Sequence, residues 1–238
     1  MKTGCKNNKN PYLCIPIKDN NMKKTVIITL IAILAPLFAH AQDWAQFGRY
    51  ATQNDNVAIK PKAVFMGDSI TDGWASQDPD FFSSNNFLGR GISGQTTSHM
   101  LVRFRRDVID HQPEYVVILA GTNDIARNNG VISHENILGN IISMCELAKA
   151  NRIKPILCSV LPAAGFGWRP EIKPADDILK LNALIKGYAD SQKIPYVDYH
   201  TPLKDGRNGL PAVHAGDGVH PNLQCYKIME EIVMKYIR

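Results

Sequence analysis

The chain has 238 residues, with 27 Lys plus Arg against 22 Asp plus Glu. Six of those lysines and one of the acids lie in residues 1–41, so residues 42–238 carry 21 basic and 21 acidic side chains and no net charge. That balance excludes an overall cationic pull toward nucleic acid or an anionic surface, and 197 residues suffice for one α/β domain with its own core.

In chain order, residues 1–21 are polar and basic and are expected to be an extension ahead of the true start at Met22. Residues 22–41 (MKKTVIITLIAILAPLFAHA) combine Lys23 and Lys24, a short apolar run and Ala39-His40-Ala41. This is the layout of a secretory signal peptide, cleaved after Ala41. The apolar run is shorter than the roughly 20 residues that cross a bilayer, so no stable membrane anchor is expected. The remaining domain, 42–238, should be periplasmic or secreted. Its three cysteines, Cys145, Cys158 and Cys225, form no disulfide framework, and a Cys145–Cys158 bridge is left open.

A short helix is expected over Asp43–Gln53, anchored by Trp44, Phe47 and Tyr50. Apolar runs then predict strands at Lys62–Met66, Phe87–Arg90, Tyr115–Ala120, Lys154–Val160 and Pro195–Asp198. They are continuous rather than alternating, as in parallel strands covered on both faces. Amphipathic patterns predict helices at His99–Ile109, Glu135–Ala150, Ala175–Ser191 and Leu223–Ile237, with partial cap signals at Ser133 and Asn222. Strand–helix alternation gives a three-layer α/β/α sandwich on a five-stranded parallel sheet. The unusual loops GDSIT (67–71), GISGQTT (91–97), GTND (121–124) and DGVHP (217–221) should then gather on one edge of that sheet.

Those loops hold the candidate chemistry. Ser69 sits on a strand-end turn, and a serine becomes a useful nucleophile only when a base takes its proton. His220 can be that base, with Asp217, three residues earlier, reaching back to its Nδ1. Gly94, Asn123 and the backbone N–H of Ser69 can serve as donors to a developing oxyanion. Taken singly, each residue has an ordinary alternative role as a turn, a cap or a solvated loop side chain.

Together, the four blocks resemble the SGNH hydrolases, the GDSL-like lipase and acylhydrolase family. Ser69, Gly94, Asn123 and His220 match its four named residues, and Asp217 matches its aspartate, from about Val64 to Pro221. The first block reads GDSI rather than GDSL, which leaves the serine in place. The resemblance implies a flavodoxin-like fold and a Ser-His-Asp acyl-enzyme mechanism that needs no cofactor and no metal.

Two other readings stand beside it. His214, Asp217 and His220 form H-x-x-D-x-x-H, a spacing able to bind zinc or iron. A non-catalytic carbohydrate-binding protein or a flavin protein could use the same scaffold. Within the hydrolase reading, the absence of a long apolar insertion favours short acyl groups, acetate above all, on a small-molecule or polysaccharide ester. Asp72, Trp74, Arg90, Phe166 and Trp168 are the candidate substrate-binding residues, with Arg127 a further candidate for the pocket. A lysophospholipase or thioesterase is the runner-up.

Overall fold

The structure is a computed structural model that describes residues 43–238; the signal-peptide and extension readings of residues 1–41 lie outside the described residues. Five strands form one parallel sheet: β1 Ala63–Gly67, β2 Phe87–Gly91, β3 Tyr115–Leu119, β4 Lys154–Cys158 and β5 Tyr196–Val197. Their order is β2-β1-β3-β4-β5. This is the doubly wound, flavodoxin-like order, with its switch point between β1 and β3.

The helices are α1 Ala51–Asp55, α2 Ser69–Gln77, α3 Pro79–Ser84, α4 Thr97–Asp107, α5 Thr122–Ile125, α6 His134–Ala150, α7 Ala175–Gln192, α8 His200–Leu203 and α9 Leu223–Val233. Successive strand residues point to opposite faces, so each strand feeds two cores. Val64, Met66, Val116 and Ile118 pack with Met100 and Phe104 of α4, Ile137 and Ile141 of α6 and Leu181 of α7. Phe65, Val117, Leu119 and Ile156 face the other way, onto Trp74 of α2, Phe81 and Phe82 of α3 and Tyr226 and Met229 of α9. Double coverage is why the strands read as unbroken apolar runs.

Both partial caps are real. Ser133 accepts from the backbone N–H of Asn136, and Asn222 accepts from that of Cys225. Several expectations need correcting. The single leading helix is instead a 3-10 turn at Phe47–Arg49 followed by α1. Gln46, at φ 56, breaks helical continuity, and Trp44 and Phe47 are exposed rather than anchoring. No apolar periodicity marks an element between the first two predicted strands, whereas α2 starts at Ser69 itself and α3 follows at Pro79. Cys145 in α6 and Cys158 in β4 are both free and buried, so no bridge forms. Among the described residues no helix is long and apolar enough to cross a membrane.

Candidate active site

The β1–α2 turn sets Ser69 at the first position of a helix. Asp68, just before it, accepts from the Ile70 backbone N–H at 2.9 Å and so caps that helix. Ser69 Oγ lies 2.9 Å from His220 Nε2. His220 Nδ1 lies 2.6 Å from Asp217 Oδ2. The other Asp217 oxygen accepts from the backbone N–H groups of Val219 and His220, at 2.9 and 2.8 Å. Burial raises the Asp217 pKa, but these hydrogen bonds outweigh it and hold the carboxyl below its usual range. An ionised carboxylate on Nδ1 fixes the ring so that Nε2 faces the hydroxyl. That constellation can remove a proton from Ser69 and stabilise the resulting imidazolium.

The second block is built into the same edge. A Cβ on Gly91, at the end of β2, would sit 2.1 Å from the Asp72 backbone nitrogen, so only glycine lets this strand meet α2. Gly94 has φ +79, while among the described residues nothing lies within 4 Å of where its Cβ would be. Its glycine is therefore demanded by backbone conformation rather than by crowding from the chain. The third block is tied to the second. Asp124 accepts from both the backbone N–H and the hydroxyl of Thr97, at 2.9 and 2.7 Å. Asn123 is buried, and its Nδ2 donates to the Gln95 carbonyl at 3.1 Å and approaches Asp68 Oδ2 at 3.3 Å. Presenting that amide to an oxyanion requires giving up the longer, weaker contact.

Some residues that the sequence did not single out hold this arrangement. Arg103 is fully buried on α4. It donates to Gln95 Oε1 at 2.6 Å, to Asp107 at 2.7 Å and to the Gly67 carbonyl at 3.0 Å. One guanidinium thus joins the strand leading to Ser69 to the loop carrying Gly94. Asp68 is the other: burial pushes its carboxyl up to about 6, against the opposing pull of the Ile70 N–H and His220. By its charge Arg103 reads as a solvent-facing group of the amphipathic His99–Ile109 segment; its burial and its partners follow only from the tertiary structure.

The candidate substrate residues divide. Trp168 is 42% exposed, its ring centroid is 6.0 Å from that of His220, and Phe166 stacks behind it at 5.0 Å while itself buried. Trp74 is not at the site: it is 1% exposed and stacked between Phe81 and Tyr226 in the core. Arg90 is also buried, over the Tyr50 ring and bonded to Asn54. Asp72 pairs with Arg49 and accepts from Ser93, so it clamps the second-block loop. Arg127 is exposed at φ 58 beside the third block. The H-x-x-D-x-x-H reading is not supported. Both Asp217 oxygens are committed to the 217–220 turn, and among the described residues no three His, Cys, Asp or Glu side chains are grouped to hold a metal.

Comparison with known proteins fits this geometry. The model of the GDSL-like Lipase/Acylhydrolase family matches residues 65–228, which includes all four blocks. A GDSL-like lipase from Bacteroides thetaiotaomicron VPI-5482 is 50% identical over 81% of this chain and 97% of that one, with a TM-score of 0.79. An acetylxylan esterase of Geobacillus stearothermophilus is 22% identical over 207 residues, 74% of this chain and 93% of that protein. The platelet-activating factor acetylhydrolase IB subunit alpha1 of Rattus norvegicus is 29% identical over 104 residues, 42% of each protein. The chain spans only 33% to 42% of the length of the first curated relatives it matches. With the family model covering more than half of its length, this chain belongs to the GDSL-like lipase and acylhydrolase family.

Proposed function

We propose that the protein is a serine ester hydrolase that removes short acyl groups, acetate above all, from carbohydrate. The observation carrying the reading is the continuous hydrogen-bonded line from Ser69 Oγ through the His220 ring to Asp217, at 2.9 and 2.6 Å. Ser69 Oγ attacks the ester carbonyl carbon while His220 Nε2 takes the hydroxyl proton. The oxyanion is held by the backbone N–H groups of Ser69 and Gly94 and by the Asn123 amide. As the C–O bond breaks, His220 passes the proton to the departing alkoxide, leaving an acyl group on Ser69. Water then attacks that acyl group, His220 takes its proton, and collapse returns the proton to Ser69 and frees the acid.

The carbohydrate preference rests on the rim. Trp168 offers an exposed aromatic face beside His220, the group that protonates the leaving alcohol, and the apolar C–H face of a sugar can stack there. The adjoining cavity, about 430 Å³, is lined by Phe166, Pro170 and Leu210 together with Lys173, Arg207 and Asp217. The acetylxylan esterase relative points the same way. Export through the 22–41 segment is part of the same proposal.

The test is hydrolysis of p-nitrophenyl acetate by residues 42–238, with Ser69→Ala alongside. Loss of the nucleophile is expected to lower kcat by about 10⁴-fold or more. A mutant with wild-type turnover overturns the assignment. Octanoate hydrolysed better than acetate would replace the carbohydrate reading with a lipid acylhydrolase.

A further inference from the structure

Asn123 has a side chain whose two ends differ by one atom, and only one orientation places N–H groups toward the oxyanion. Resting on the reading of Asn123 as an oxyanion donor, we propose that Trp168 and Asn128 are positioning residues that hold the Asn123 amide in that orientation. The side chains form a line. Trp168 Nε1 donates to Asn128 Oδ1 at 3.1 Å. Asn128 Nδ2 donates to Asn123 Oδ1 at 2.7 Å. Asn123 Nδ2 donates to the Gln95 carbonyl at 3.1 Å.

The polarity of this line is determined from both ends. An indole nitrogen can only donate, so the Asn128 oxygen must face Trp168. The Asn128 NH2 must then face Asn123, which therefore presents its oxygen. At the far end a backbone carbonyl can only accept, so the Asn123 nitrogen must face Gln95. A flip sets like against like at two contacts for Asn128, and at three for Asn123, whose nitrogen also faces Asp68 Oδ2. Asn128 is tied in further by its backbone N–H, which donates to the Asn123 carbonyl at 3.0 Å. Trp168 is steadied by the buried Phe166 stacked behind it. The rim aromatic thus does more than offer a face to substrate: its N–H sets the direction of a donor two residues away along the line.

A purely steric role for Asn128 and the polarity relay make opposite predictions for Asn128→Asp. The side chains are nearly the same shape, but aspartate has no N–H to give and turns an acceptor toward the Asn123 oxygen. The relay predicts that kcat for p-nitrophenyl acetate falls about 10- to 100-fold, a part of the 10²–10³ carried by a whole oxyanion donor. KM stays within about two-fold, because only transition-state binding is lost. Trp168→Phe keeps the stacking face and lowers kcat in the same way. Combined with Asn128→Ala it adds no further loss, because the two act as one unit. Wild-type kcat in either Asn128→Asp or Trp168→Phe, or fully additive losses, overturns the relay. The indole N–H resonance of Trp168, recognised by its disappearance in Trp168→Phe, checks the geometry apart from activity. Asn128→Ala should shift it and speed its hydrogen exchange, and an unchanged resonance also overturns the proposal. If wild type has no Ser69-dependent turnover, the hydrolase reading fails by itself, and the resonance still reports on the line.

Discussion

At the scale of single residues, the site combines a carboxylate that the fold keeps charged with one that it strains to charge. Asp217 accepts three hydrogen bonds and is held below its usual range. Asp68, fully enclosed behind Ser69, is pushed up to about 6. A group whose folded pKa is raised stabilises the fold below its unfolded pKa, near 4, and that stabilisation is lost as pH climbs through about 6. Wild type should therefore lose stability between pH 4 and 6 on account of Asp68. Asp68→Asn keeps the helix cap and removes that loss, so its stability relative to wild type should rise across this window. Urea denaturation at pH 4.5, 6 and 7.5 measures the difference, and a variant-to-wild-type gap independent of pH would contradict it.

At the scale of elements, the four blocks are held by contacts that cross between them. Arg103 of α4 reaches Gly67 at the end of β1, Gln95 in the second block and Asp107 one turn along its own helix. The Arg103–Asp107 pair is almost wholly enclosed, at 0% and 2% exposure. Removing one member strands the other charge, whereas replacing both with apolar groups of similar size does not. Arg103→Met should cost about 3–5 kcal/mol in urea denaturation, and adding Asp107→Leu should recover part of that loss. No recovery in the double variant would mean that the bonds to Gly67 and Gln95, rather than the stranded aspartate, dominate. The segment before β1 is also engaged here: Gln95 donates to the Ala45 carbonyl and Trp44 stacks on His99 at 4.3 Å. Trp44, expected to anchor a leading helix, thus packs on α4 instead.

For the whole molecule, the topology supplies the cleft. The chain leaves β1 in one direction and resumes at β3 in the other, so the loops after these two strands part where the order reverses. Ser69 follows β1 and Asn123 follows β3. The export proposal is tested by expressing the chain from Met22 in a bacterial host and sequencing the N-terminus of the exported protein. Gln42 is the expected first residue, and retention in the cytoplasm with Met22 intact would refute it.

The sequence alone determined the layered architecture, because strands buried on both faces and helices buried on one leave periodicities that can be counted in Tyr115–Leu119 or His134–Ala150. It also determined the family and the pairing of Asp217 with His220, because turn residues and a three-residue spacing are local. Tertiary structure alone decided what depends on contact between distant segments. Hydrophobicity marks Trp74 and Trp168 alike, yet one is sealed among Phe81 and Tyr226 and the other opens beside His220. Charge marks Arg90 and Arg103 as surface groups, yet both are buried on partners remote in the chain. The line from Trp168 through Asn128 to Asn123 spans two loops, and the direction of its hydrogen bonds exists only once those loops meet. Burial and hydrogen-bond polarity belong to pairs of residues, and a linear pattern records only one member of each pair at a time.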